Sequence, residues 1–227
     1  MTAPSQIDLV NSALTSIGQE PLASLDDADY ISSVAVAVRN KVDIVRRKLL
    51  RMNDWNCARI TAKLAQIIVT DNLSGWDYQY ALPTDPECLR VVQISVDGGK
   101  TYIDLDDYYN YNKGPREALF DLDGTRLLSN APEIYIKYTA DIDPAKFDAT
   151  LAPAYVAMLA AELSYCLPAS VSLAEYMAKV AKMELRNAKS LNARERNIHR
   201  PEGEVIGVRY GHSDRYLRVD MSDELGE

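Results

Sequence analysis

LRVVQISVDGGKTYIDL, residues 89–105, decides how the middle of this chain folds. Residues 89–96 are rich in β-branched side chains, and Asp97-Gly98-Gly99 follows as a hairpin signal. Residues 101–105 can return as the partner strand. A second Asp-Gly pair, Asp123-Gly124, separates two further short strands at 118–122 and 126–128. Working outward, residues 76–80 alternate and stop at Leu82-Pro83. Residues 133–139 alternate again and carry Tyr135 and Tyr138. Residues 60–68 read as a looser strand. Residues 56–143 are therefore predicted to form a small antiparallel meander or barrel.

Helical sequence lies on both sides. Ser5 and Asp8 have capping-box spacing ahead of Ile7, Val10, Leu14 and Ile17, and Gly18 and Pro21 follow as stop signals. A longer helix is predicted over residues 29–52, with Val34, Val38, Val42, Val45, Leu49 and Met52 along one stripe. Arg39, Arg46, Arg47 and Arg51 fall off that stripe, and Asp43 is spaced to pair with Arg39. After residue 147, Leu151, Tyr155, Leu159 and Leu163 draw a third stripe, and Ala154, Ala157, Ala160 and Ala161 permit close packing. Ser172 and Glu175 resemble another capping box. It opens a helix to about residue 194 whose Leu173, Tyr176, Val180, Met183 and Leu191 are expected to face inward.

Each stripe covers one helix face, so the terminal helices are expected to pack on one another. The predicted fold class is α+β: a helical bundle from N- and C-terminal helices, an inserted antiparallel β-rich region and an extended C-terminal arm. The domains follow. Residues 1–55 and 144–195 form a discontinuous helical body, 56–143 the β-rich insertion, and 196–227 the arm. Within the arm only residues 205–210, from Val205 to Tyr210, read as strand.

The chain has 227 residues and a formal net charge of −8. Residues 1–66 carry +1, residues 67–143 carry −8 and residues 144–227 carry −1. An acidic strand region repels phosphate and is a poor grip for nucleic acid. No basic, apolar leader opens the chain, and residues 151–167 are short for a membrane span, which needs about 20 residues. Cys57, Cys88 and Cys166 fit neither a disulfide framework nor a zinc spacing, which suits buried, reduced thiols.

Several motifs have two readings. Phe120-Asp121-Leu122-Asp123-Gly124-Thr125 resembles the nucleophile motif of haloacid-dehalogenase-type phosphatases, in which the first Asp attacks phosphorus and magnesium neutralises charge. That chemistry needs a parallel sheet with crossover helices, which the order of elements does not supply. A tight turn at Asp-Gly is the plainer reading. Asp104, Asp106 and Asp107 beside Tyr108, Tyr109 and Tyr111 suit an interface, because Tyr buries a large ring and keeps a polar tip. A solvated loop or a cation site are the other readings of that run. Arg46, Arg47, Lys48 and Arg51 form the one dense basic cluster, read as a solvated face, with a contact to an acidic neighbouring subunit or a direct grip on DNA as the other readings. His199 and His212 have no ligand spacing around them. The expectation is a non-enzyme without cofactor or metal, with interface candidates Arg46, Arg47, Arg51, Tyr108, Tyr109, Tyr111, Val205 and Tyr210.

Leu9-Val10-Asn11, Leu14, Ile17-Gly18, Pro21 and Ser24-Leu25, then a long helix ending at Trp55, resemble the start of tail tubular protein A and related head-to-tail adaptor proteins of short-tailed bacteriophages. Leu82-Pro83-x-Asp85 with Leu89-Arg90-Val91 also fits this family. So do residues 138–143 leading into 152–161, and the helix from Leu173. The likeness spans residues 5–195. It implies a structural virion subunit, made in the host cytoplasm, that forms a homo-oligomer, a twelve-subunit ring. That ring would join the portal protein to the tail nozzle protein, with DNA passing through unbound and no membrane involved. A magnesium-dependent phosphatase built on Asp121 and Asp123, or a different head-completion protein such as a plug, are the alternatives.

Overall fold

The structure is a computed structural model and describes residues 4–25, 32–68, 74–105, 119–167 and 171–195. The expected arm, with Val205, Tyr210, His199 and His212, lies outside the described residues, as do Asp106, Asp107, Tyr108, Tyr109 and Tyr111.

Helix α1 spans Gln6–Ser16. The Ser5 hydroxyl accepts from the Asp8 backbone N–H, and the Asp8 carboxylate accepts the Ser5 N–H at 2.9 Å, so the capping box forms. Gly18, at φ +73°, ends the helix in a backbone region that disfavours a β-carbon. Helix α2 spans Ser33–Arg51 and is capped by Ser32, whose hydroxyl accepts from the Ala35 N–H at 3.1 Å. Its start is later than expected, and residues 26–31 lie outside the described set. Val38, Val42, Val45 and Leu49 are buried along the predicted stripe, whereas Met52, at the end, is 36% exposed.

Helix α3, Leu151–Cys166, fills the centre of the helical body and packs between α1 and α2. Ten of its 16 residues are buried, on nearly every side. That enclosure fits a helix apolar on most sides, and its four buried alanines let neighbouring backbones approach. Asp148 starts it by accepting the Thr150 and Leu151 N–H groups at 2.8 and 2.7 Å. Phe147 meets Tyr155 edge-to-face at 5.5 Å.

Helix α4, Val171–Glu195, is the longest at 25 residues, about 37 Å. It begins ahead of Ser172, which therefore sits inside the first turn and is not the cap. Its buried residues are Ala174, Met177, Ala181, Ala188 and Asn192. The expected inward set is rotated: Tyr176, Met183 and Leu191 are exposed, and Leu173 and Val180 are only half-buried. The side toward the body is the small-residue side.

Two antiparallel four-stranded sheets complete the α+β fold. The strands are β1 (Arg59–Lys63), β2 (Ala65–Ile67), β3 (Tyr78–Ala81), β4 (Cys88–Ser95), β5 (Ile103–Asp104), β6 (Phe120–Asp123), β7 (Arg126–Ser129) and β8 (Tyr135–Ala140). One sheet runs β1-β8-β4-β5, the other β2-β3-β7-β6. The loose strand expected over 60–68 is two strands in different sheets. The chain crosses between them at Leu64, whose N–H donates to Ile134 O at 2.9 Å. Both Asp-Gly hairpins form, pairing β4 with β5 and β6 with β7. Asp97 organises the first turn: its carboxylate accepts the Ser95 hydroxyl at 2.6 Å and the Lys100 and Thr101 N–H groups at 3.0 Å. Strands β1 and β8, the first and last, pair from Arg59↔Thr139 to Lys63↔Tyr135. A single apolar cluster runs from Leu14 and Leu49 in the helices to Ile94, Leu127 and Ile136 in the strands.

Candidate interaction surfaces

The basic cluster of α2 is drawn toward acids of its own chain. Arg46 grips Asp141, just after β8, with two parallel bonds of 2.9 and 3.1 Å, and also meets Asp43 at 3.0 Å. Asp43 thus serves Arg46 in place of the expected Arg39. Burial disfavours the Arg46 charge, but the Asp141 bonds and the field of Asp43 outweigh it and raise its pKa. Arg47 reaches the same Asp141 at 3.2 Å and also pairs with Glu87. Lys48 joins Lys41 on Glu162 of α3, each at 3.2 Å. Burial opposes ionisation of Glu162, yet these two lysines hold its pKa below the usual range. Arg46 and Arg47 thereby tie helix to sheet, and Lys41 and Lys48 tie α2 to α3. Arg51 is exposed and has no ion pair among the described residues.

A second polar knot holds the far end of α4. Asn192, 2% exposed, donates to Asp54 O at 2.8 Å and accepts the Asn56 N–H at 2.8 Å. Asp54 in turn receives Arg59 in a two-pronged pair, one arm at 3.0 Å. Beside it Trp55 is fully buried and donates its indole N–H to Leu49 O at 2.8 Å.

Once anchored, α4 presents two further faces. Lys179, Lys182, Arg186 and Lys189 recur at steps of three, four and three, which puts them on one side of a helix. The first three are exposed and Lys189 is half-exposed, and none has an ion pair among the described residues. Next to that ladder, Tyr176 is 61% exposed, Met183 54% and Leu191 41%. An open groove of about 400 Å³ lies beside Leu191, between Thr150, just ahead of α3, with Pro153 of α3, and Glu184 and Asn187 of α4. Sequence periodicity locates the cation ladder and the apolar stripe but expects the apolar stripe inward, whereas the buried side is Ala174, Met177, Ala181, Ala188 and Asn192.

Asp121 and Asp123 lie on β6, an edge strand of the second sheet. Both are exposed, and the Asp121 carboxylate accepts the neighbouring Leu122 N–H at 2.8 Å. Gly124, at φ +60°, makes the turn into β7. The phosphatase-like motif is thus a hairpin of an antiparallel sheet. Leu119 and Leu122 flank the acids, 39% and 38% exposed.

Among the described residues no group of three or more His, Cys, Asp and Glu is disposed to hold a metal, and no helix is long and apolar enough to cross a membrane. Burial pushes the thiols of Cys57 and Cys88 up to about 11, whereas Cys166 is exposed. No protein-family model and no curated protein sequence matches the chain.

Proposed function

We propose that this chain is a structural subunit of a head-to-tail connector of a short-tailed bacteriophage, one member of a twelve-copy ring between portal and tail nozzle. The observation that carries the reading is the outward stripe Tyr176–Met183–Leu191 on the longest helix. A long helix that buries alanines against its own body and offers tyrosine, methionine and leucine outward suits a subunit completed by neighbours. The sequence likeness to tail adaptor proteins over residues 5–195 supports the same assignment. In this reading the helices build the ring wall, the two sheets face the nozzle side, and DNA passes without specific contacts. Electron microscopy of the purified protein, alone and mixed with portal rings, tests it. Ring-shaped density on the portal is the expected result. A monomer that never joins the portal rejects it.

A further inference from the structure

We infer that the outward side of α4 docks on the β6–β7 hairpin of a second copy of this chain, cation ladder against acidic edge. The inference rests on the ring reading and names its subunit contact.

Lys179, Lys182, Arg186 and Lys189 have no ion-pair partner among the described residues, and the same holds for Asp121 and Asp123. Arg126 lies opposite Asp123 in the hairpin register, but its guanidinium turns to Gln79 Oε1 at 3.5 Å. The two surfaces also match in apolar character. Tyr176 and Met183 run beside the ladder, and exposed Leu119 adjoins the acids where β6 begins. Strand alternation puts Asp121 and Asp123 on one side of β6, as helical spacing puts the four cations on one side of α4. The charge excess points the same way: residues 67–143 hold the −8 of the chain, so the strand region that carries Asp121 and Asp123 is the acidic part of a second copy that a cation ladder can meet.

The apolar stripe disfavours nucleic acid as the occupant, since phosphate contacts gain nothing from exposed methionine and leucine. The two patches are different surfaces, so their union is head-to-tail. Such contacts generate rings when the rotation closes and filaments when it does not.

The test is a charge swap read by sedimentation velocity and chemical cross-linking of the full chain. One variant carries Lys182→Glu and Arg186→Glu, the other Asp121→Lys and Asp123→Lys. All four positions are exposed, and circular dichroism melts check that both variants fold. Each variant alone should lose self-association by about tenfold or more, and an equimolar mixture should regain it, because each then offers the other a matched face. Wild-type association should also weaken as salt rises. If both variants assemble like wild type, or the mixture regains nothing, the contact is elsewhere and the inference fails while the ring reading stands. If the first variant loses only the binding of a short DNA duplex, the ladder serves phosphate and the inference also fails. A wild-type chain that shows no self-association even after cross-linking overturns it too. Joining to portal then decides the ring reading separately.

Discussion

The side chain of Asn192 accepts the backbone N–H of Asn56 at 2.8 Å, joining positions 136 residues apart. The same carboxamide donates to Asp54 O, so one residue near the end of α4 closes on the junction between α2 and β1. A polar side chain buried this deeply is held by full satisfaction of its bonds.

Asn192→Ala strips partners from two backbone groups at that junction. The expected cost is about 2–3 kcal/mol, measured by urea unfolding as a lower midpoint with an unchanged slope. Hydrogen exchange should report the loss first in the last turns of α4.

Asp141 neutralises both Arg46 and Arg47 between helix and sheet. Asp141→Ala leaves Arg46 with Asp43 and Arg47 with Glu87, and removes the carboxylate they share, so a loss of about 1–3 kcal/mol is expected. A double-mutant cycle with Arg46→Met should show a coupling above about 1 kcal/mol. Strict additivity of the two changes would mean that the bidentate pair does not hold the elements together.

Acid should loosen the start and middle of α3. For Asp148, burial opposes ionisation, but bonds from Thr150 and Leu151 overcome it and leave the pKa below its ordinary value. Glu162 is lowered in the same manner by Lys41 and Lys48. A depressed folded pKa means that unfolding takes up protons at low pH. The contribution of both groups is complete well above the ordinary carboxyl range of about 4 and is lost as pH falls through their lowered folded values. Asp148→Asn with Glu162→Gln should lower stability at pH 7 and flatten the acid limb. Chemical denaturation across that range reads both effects.

The three thiols should separate by rate. Cys166 is exposed, while Cys57 and Cys88 are half-buried and held protonated by pKa values near 11. Alkylation at neutral pH, followed by peptide mass spectrometry, should mark Cys166 first and the other two much later. Equal labelling of all three would contradict the packing around β4 and the α2–β1 junction.

Local chemistry explains which features were readable from sequence. Both Asp-Gly hairpins and the Ser5–Asp8 box depend on residues within a few positions, so their signals survive without tertiary knowledge. The core stripe of α2 was legible because its polar face is charged throughout the second half. Helix α4 defeated the same reasoning. It carries two stripes of helical period, one of alanines and Met177, one of Tyr176, Met183 and Leu191, and period alone does not say which one meets the body. Close approach favoured the small residues. The long-range partners of Arg46 and Asn192 follow from chain reversal over 95 and 136 positions, which leaves no local mark.

The enclosure of α3 also governs synthesis. Helices α1 and α2 leave the ribosome long before residue 151, so Val38, Val42, Val45 and Leu49 must wait for their cover while the strand region is translated. That delay raises contact order and prolongs exposure of sticky surface in the nascent chain. Truncated products ending before Leu151 should precipitate or be captured by chaperones, and slower translation through the strands would lengthen the window in which this happens.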